Sequence, residues 1–352
     1  MSSVQTPYAS EAFLHQLLTK ALAANASDIH IKVGQPPGAR VRGDMVYFRV
    51  DKVKPEDTNA LAHILLAPRG VDDVGTIREF DTSYSAQGIG RFRVNVYRQR
   101  GALSVVMRTI PIKIPTIEEL GLPAPIKTLS ELDRGLVLVV GATGSGKTTT
   151  LASMINHINL TLPRHIVTIE DPIEFLHQDS RSGVSQREIG IDTESFATAL
   201  RAALRQDPDV ILVGEVRDPE TLEIAMQAAE TGHLVLSTMH TPDVSRTVHR
   251  MMSLAKNPGD LRDRLGDALQ GIVAQRLLPK RDGTGLQLIQ EILVASGTAR
   301  EAIKRPDQNA PLKDVMEKGV VPYGMQTFEM HIKALVQAGV LSKEWARQGP
   351  GF

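Results

Sequence analysis

Apolar residues at Phe13, Leu14, Leu17, Leu18, Ala21 and Leu22 recur at helical spacing and predict a helix over 11–24. The period then shortens. A strand is predicted at 28–33, a turn at Gly34-Gln35-Pro36-Pro37-Gly38, and further strands around 39–42 and 45–50. Residues 91–97 alternate polar and apolar as a half-buried strand does, and 103–109 is the expected partner across Gln99-Arg100-Gly101. Pro111 and Pro115 then bar regular helix and hold the chain extended. From 117 onward strands and helices alternate. Strands are expected at 136–140, 165–171, 210–215 and 234–240, and helices at 148–158 and 194–206. A further helix starts at Asp218, a capping residue with Pro219 behind it, and ends near Thr231-Gly232. After about 255 the pattern reads as mostly helical.

This β-α-β-α order implies a doubly wound, mainly parallel sheet. The chain has 352 residues, more than one core of about 250–300 residues usually holds. The expected division is a small α+β domain over 1–110, a Pro-rich linker over 111–117, and an α/β domain with C-terminal helices over 118–352. Only 4% of residues are aromatic, so the cores must be built mainly from Leu, Val, Ile, Ala and Met.

Charge and cysteine then narrow the chemistry. Forty basic residues balance forty acidic ones, which leaves no basic footprint for nucleic acid. The absence of cysteine excludes disulfides, Cys-ligated zinc and thiol catalysis, and suits a reducing cytoplasm. No signal-peptide pattern and no apolar run of about 18 residues is seen, so any membrane association is expected to go through partners, without direct insertion.

The run Gly141-Ala142-Thr143-Gly144-Ser145-Gly146-Lys147-Thr148 matches G-x-x-x-x-G-K-[ST], between a predicted strand and a predicted helix. Backbone N–H groups at such a helix start face phosphate, and the helix dipole favours its charge. Lys147 can reach the β- and γ-phosphates, and the Thr148 hydroxyl can ligate Mg²⁺. A chance match in a Gly-rich turn is the plainer alternative, and the strand–loop–helix context argues against it. ATP and Mg²⁺ are the expected cofactors, with Thr149 continuing the cradle.

Hydrolysis needs more than a phosphate cradle. Glu170-Asp171-Pro172-Ile173-Glu174 lies at the C-terminal edge of a strand, where open α/β sheets bind ligands. Glu215 follows a second apolar strand and is a candidate Mg²⁺ ligand beside Thr148. Solvated loop-end acids are the alternative for Glu174 and Glu215. His233 and His240 bracket one buried strand. His240 falls on the ligand edge and could sense a γ-phosphate; a structural role is the alternative for a lone histidine. Zinc lacks further ligands at convincing spacing. Arg91, Arg93, Arg98, Arg100 and Arg108 crowd one predicted hairpin, and Arg93 and Arg108 fall on its paired strands. They suit phosphate oxygens, or else form a solvated basic face.

Together these segments resemble the type IV pilus retraction motors of the secretion ATPase superfamily, over nearly the whole length. The matching segments are Ser27-Asp28-Ile29-His30-Ile31, 91–101, the P-loop, the Asp box at 168–175, the Walker B segment from Asp207 to Asp218, in which Gly214 before the acid is normal, and the His box from Ala229 to Thr241. The resemblance implies a PAS-like first domain and a RecA-like second. It implies that Glu174 activates or positions water, Glu215 supports Mg²⁺ with Thr148, His233 and His240 couple nucleotide state to the subunit interface, and Arg93 and Arg108 reach phosphates. It further implies a homohexamer at the cytoplasmic side of the inner membrane, docked on a pilus platform protein, driving retraction. The lack of a tetracysteine module and of an extra N-terminal region favours retraction over extension. The family's C-terminal helix motif is matched only loosely by Ala299-Arg300-Glu301-Ala302-Ile303, whereas Gly324-Met325-Gln326-Thr327-Phe328 matches well. An accessory paralogue, also a possible partner, a nucleotide-gated assembly subunit with little hydrolysis, and a type IV secretion ATPase are the alternatives.

Overall fold

A computed structural model of the chain describes residues 6–111 and 113–346. Residues 1–5, 112 and 347–352, which the sequence assigns to the first domain, the linker and the second domain, lie outside the described residues. The chain separates into two compact units, Met1–Lys113 with Glu174–Leu176, and Ile114–Ile173 with His177–Phe352.

In the first unit, helix α1 (Glu11–Ala23) leads into β1 (Ala26–Lys32), β2 (Gly38–Val41) and β3 (Asp44–Tyr47). Helix α2 (Pro55–Leu66) follows, then β4 (Glu79–Ala86), β5 (Gly90–Gln99) and β6 (Ala102–Thr109). The strands form one sheet in the order β3-β2-β1-β6-β5-β4. One face is apolar: Phe92, Val94 and Val96 of β5 with Leu103, Val105 and Met107 of β6 pack on Leu14, Leu18, Leu61 and Leu65. The period of two therefore sends Arg91 and Arg93 to the opposite face. Pro55 at the start of α2 and Asp57, whose carboxylate accepts from the Lys54 N–H, fix that helix, for which the sequence analysis has no counterpart.

The second unit runs α3 (Ala124–Ser130), β7 (Gly135–Val140), α4 (Lys147–Thr161), β8 (His165–Glu170) and β9 (Gly183–Glu188). It continues through α5 (Phe196–Ala203), β10 (Val210–Val213), α6 (Pro219–Glu230), β11 (Leu234–Met239), α7 (Val244–Leu254) and α8 (Pro258–Ala268). The remainder is β12 (Leu269–Pro279), β13 (Leu286–Val294), α9 (Gly297–Lys304), α10 (Leu312–Lys318) and α11 (Phe328–Gln337). The sheet order is β13-β12-β7-β11-β10-β8-β9, parallel except for β13. Both faces are covered. Leu136, Leu138 and Val140 of β7 pack on the side of α5 to α9, while Val137 and Val139 pack against Leu151, Met154 and Ile155 of α4. The α/β class with a mainly parallel sheet is thus as expected.

One expectation is corrected. The chain after 255 is not mostly helical, because β12 and β13 form a long antiparallel pair there, with β12 also parallel to the P-loop strand β7. Gly271-Ile272-Val273-Ala274 is buried on both faces, so it lacks the alternation that marks a half-buried strand. Helix α5 is also shorter than 194–206, starting after Ser195, whose hydroxyl accepts from the Thr198 N–H.

Candidate nucleotide site

The loop 141–146 joins the C-terminal end of β7 to the first turn of α4. Gly141 has φ +150°, and a Cβ there would lie 2.5 Å from both the Gln275 carbonyl oxygen and Ser145 Oγ. Gly144 and Gly146 also take positive φ, 79° and 88°, which glycine adopts freely. Gly146 caps a helix that has no side-chain cap, so its first N–H groups face the loop. Lys147 is buried, and its Nζ donates to the Gly141 and Ala142 carbonyls at 2.9 Å each. Ala142, Thr143 and Thr148 are exposed on the open side.

The acidic edge lies across β11 from β7. Glu215 follows β10 through Gly214, whose N–H donates to the Ile169 carbonyl at 2.8 Å. Glu215 is only 8% exposed yet pairs with Arg217, and its Oε2 lies 3.4 Å from His240 Nε2 without a hydrogen bond. The hydrogen bond from Arg217 to Glu215 holds the guanidinium pKa above its usual value, outweighing burial, with the nearby Asp171 charge adding to it. Glu170 is buried at the end of β8, accepting from Thr168 Oγ1 at 2.7 Å and Gln186 Nε2 at 3.0 Å. Asp171 is exposed on the following turn, which Glu188 of β9 fixes by accepting from the Ile173 N–H.

The histidines divide. His240 sits beside Glu215 on the edge that carries the P-loop. His233 precedes β11, and Leu234 pairs with Gly135 at the far end of β7. Its Nδ1 lies 3.0 Å from the Ala228 carbonyl, tying the ring to the end of α6. His233, expected from the resemblance to couple nucleotide state to the subunit interface, is not a nucleotide-binding residue of its own chain's phosphate loop, because it stands a whole strand length from that edge.

In the first unit Arg93 and Arg108 are direct cross-strand partners and share a face. Arg108 Nε donates to Asp28 Oδ1 at 2.9 Å, whereas the Arg93 side chain has no hydrogen bond or ion pair among the described residues. Burial would raise the Asp28 pKa, but hydrogen bonds from Arg108 and Ser27 hold it below the ordinary value. Arg98 belongs elsewhere: it donates to the Ile77, Gly75 and Gly101 carbonyls and closes the end of the sheet. Arg100 takes φ 49° in the β5–β6 turn. The expected five-arginine cluster thus reduces to Arg91, Arg93 and Arg108 on one face. Glu174 is exposed and falls in the segment grouped with this unit.

Residues 81–321 match the family described as type II/IV secretion system protein. The chain belongs to that family. Among relatives, it is 42% identical to the type IV pilus retractation ATPase PilT of Pseudomonas aeruginosa, over 95% of this chain and 96% of that one. It is 39% identical to the type IV pilus ATPase PilU of the same organism, over 94% and 86%. A crystal structure of the pilus retraction motor PilT with bound ADP superposes with a TM-score of 0.84 at 41% identity, covering 95% of each chain. The Legionella pneumophila ATPase DotB gives 0.82 at 29% identity, covering 96% of this chain and 95% of that one.

Within this family frame, two site residues escape the sequence analysis. Gln275 of β12 is fully buried, abuts Gly141 through its carbonyl and donates from Nε2 to Thr150 Oγ1 at 2.8 Å. Arg217 holds Glu215. Gln275 is a polar residue in an unrecognised strand with no motif of its own, and Arg217 lies inside the Walker B segment without a role assigned to it there. The donor set fits Mg²⁺. Glu215 Oε2 is a buried oxygen without a hydrogen bond, and Mg²⁺ takes one or two protein oxygens with the rest from phosphate and water.

Proposed function

We propose that this chain is the ATP-hydrolysing subunit of a homohexameric motor that retracts type IV pili. The carrying observation is the P-loop on the same sheet edge as Glu215, Arg217 and His240, in a chain that matches a retraction motor over 95% of its residues. Lys147 exchanges its two loop carbonyls for β- and γ-phosphate oxygens, and the α4 N-terminus takes the remaining charge. Mg²⁺, when bound, neutralises charge on the phosphates, with Thr148 and Glu215 as its protein-side oxygens. Glu174 positions the attacking water, Glu170 and Asp171 support that edge, and His240 reads the γ-phosphate from beside Glu215. Arg93 and Arg108 offer two guanidiniums to phosphate oxygens as charge moves to the leaving group. The subunit works at the cytoplasmic side of the inner membrane through a pilus platform protein; no described helix is long and apolar enough to cross a membrane.

ATP turnover by the purified protein tests this. Lys147→Ala and Glu174→Ala should each reduce kcat at least a hundredfold, and retained turnover in both would refute the hydrolytic reading. The 39% identity to PilU keeps an accessory retraction subunit as the second reading. Deletion in the source organism separates them: excess, non-retracting pili support the main motor, and retained retraction supports the accessory role.

A further inference from the structure

The loop that leaves β11, His240-Thr241-Pro242-Asp243, is gripped from one side by two charged residues that the nucleotide site does not use. On β12 and β13, Ala274 pairs with Glu291 and Arg276 with Ile289, so Arg276 and Glu291 are diagonal neighbours on one face of the pair. Gln275, facing the other way, serves α4 and the P-loop. Arg276 Nη2 donates to the Pro242 carbonyl at 3.3 Å, and its guanidinium stands 4.2 Å over the Phe328 ring. Glu291 is 8% exposed, and its Oε1 accepts from the Val244 N–H at 2.9 Å. Burial raises its pKa against the pull of the Val244 amide and Arg276.

Each partner has meaning. Pro242 and Val244 flank the N-cap of α7, Asp243, two and four residues from His240. Phe328 is the first residue of α11. One buried carboxylate thus holds the first N–H of α7, and one guanidinium joins the loop before α7 to the Phe328 ring at the start of α11.

We propose that Arg276 and Glu291 are positioning residues that hold the His240 loop at the nucleotide edge and tie its setting to α11. This rests on the hydrolytic reading for its effect on turnover, but the tie itself is testable without it. The decisive variant is Arg276→Met, because Arg276 touches both the Pro242 carbonyl and the Phe328 ring. Glu291→Gln keeps nearly the same volume and removes the charge that strengthens the bond from the Val244 N–H. Arg276→Met removes the donor and keeps most of the apolar stem.

Two measurements test the tie on the full-length protein. In steady state, both variants should lower kcat about five- to twentyfold with KM for ATP within twofold, since the P-loop is untouched. The double variant His240→Ala with Glu291→Gln should turn over no more slowly than His240→Ala alone, because both act through one loop. In hydrogen exchange, a non-hydrolysable ATP analogue should slow exchange at 240–245 and alter it at 327–331 in the wild type. In Arg276→Met only the first change should persist. Wild-type kcat and exchange coupling in both variants would overturn the proposal, and so would multiplicative losses in the double variant. Absence of wild-type turnover would instead refute the hydrolytic reading, with exchange still deciding the tie.

Discussion

Lys147 shows how a single side chain is prepared for its ligand. Both carbonyls it now holds belong to the phosphate loop itself, so the ammonium is paid for in hydrogen bonds before any nucleotide arrives. Thr148 and Ala142 were legible from spacing alone, since the motif fixes their places. The two histidines were legible by edge, since His233 precedes β11 and His240 ends it, and the structure stands them at opposite edges of the sheet. That difference predicts unequal effects. His240→Ala should lower kcat, whereas His233→Ala should leave nucleotide affinity of the isolated subunit within twofold, as measured by fluorescent ATP-analogue binding. His331 gives a pH effect with a definite sign. Its Nδ1 accepts from the Gln290 N–H at 3.0 Å, and burial lowers its pKa. The unfolded chain therefore binds this proton first, and stability should fall as pH drops below about 6.5, the unperturbed histidine value. Thermal midpoints between pH 7.5 and 5 should show a shallower decline in His331→Asn.

Elements were legible where their pattern had one explanation. Strands β7, β8, β10 and β11 are short apolar runs with turn signals at both ends, and α6 announces itself through Asp218 and Pro219. Asp218 Oδ1 accepts from the Thr221 N–H at 2.8 Å, as a helix cap should. Asp218→Ala should lose about 1 kcal/mol in denaturant unfolding. The β12–β13 pair was missed because residues buried on both faces carry no period. Gly141 is the sharpest test of how these strands meet. Ala there would place a methyl against the Gln275 backbone, which cannot move without disturbing β12 beside β7. Gly141→Ala should abolish ATP binding in calorimetry and lower the thermal midpoint by several degrees.

At the scale of the whole molecule, the sequence placed acids, arginines and P-loop on different segments, and the structure assigns Arg93 and Arg108 to one compact unit and Lys147 to the other. If the arginines serve a neighbouring subunit's nucleotide in a ring, mixing should reveal it. A preparation of Arg93→Ala/Arg108→Ala combined with one of Lys147→Ala should recover measurable ATPase activity, although each alone is inactive. No recovery at any ratio would place the arginines in service of their own subunit.

The strand order carries one more consequence. β11 lies between the strand that ends in the P-loop and the strand that leads to Glu215. Neighbouring strands are spaced about 4.8 Å apart by backbone hydrogen bonds, so the two sides of the site stand roughly 10 Å apart. That gauge is set by the peptide backbone and not by any side chain. Helices over the sheet can drift in sequence, and cores can be repacked, while the width offered to a phosphate group stays the same.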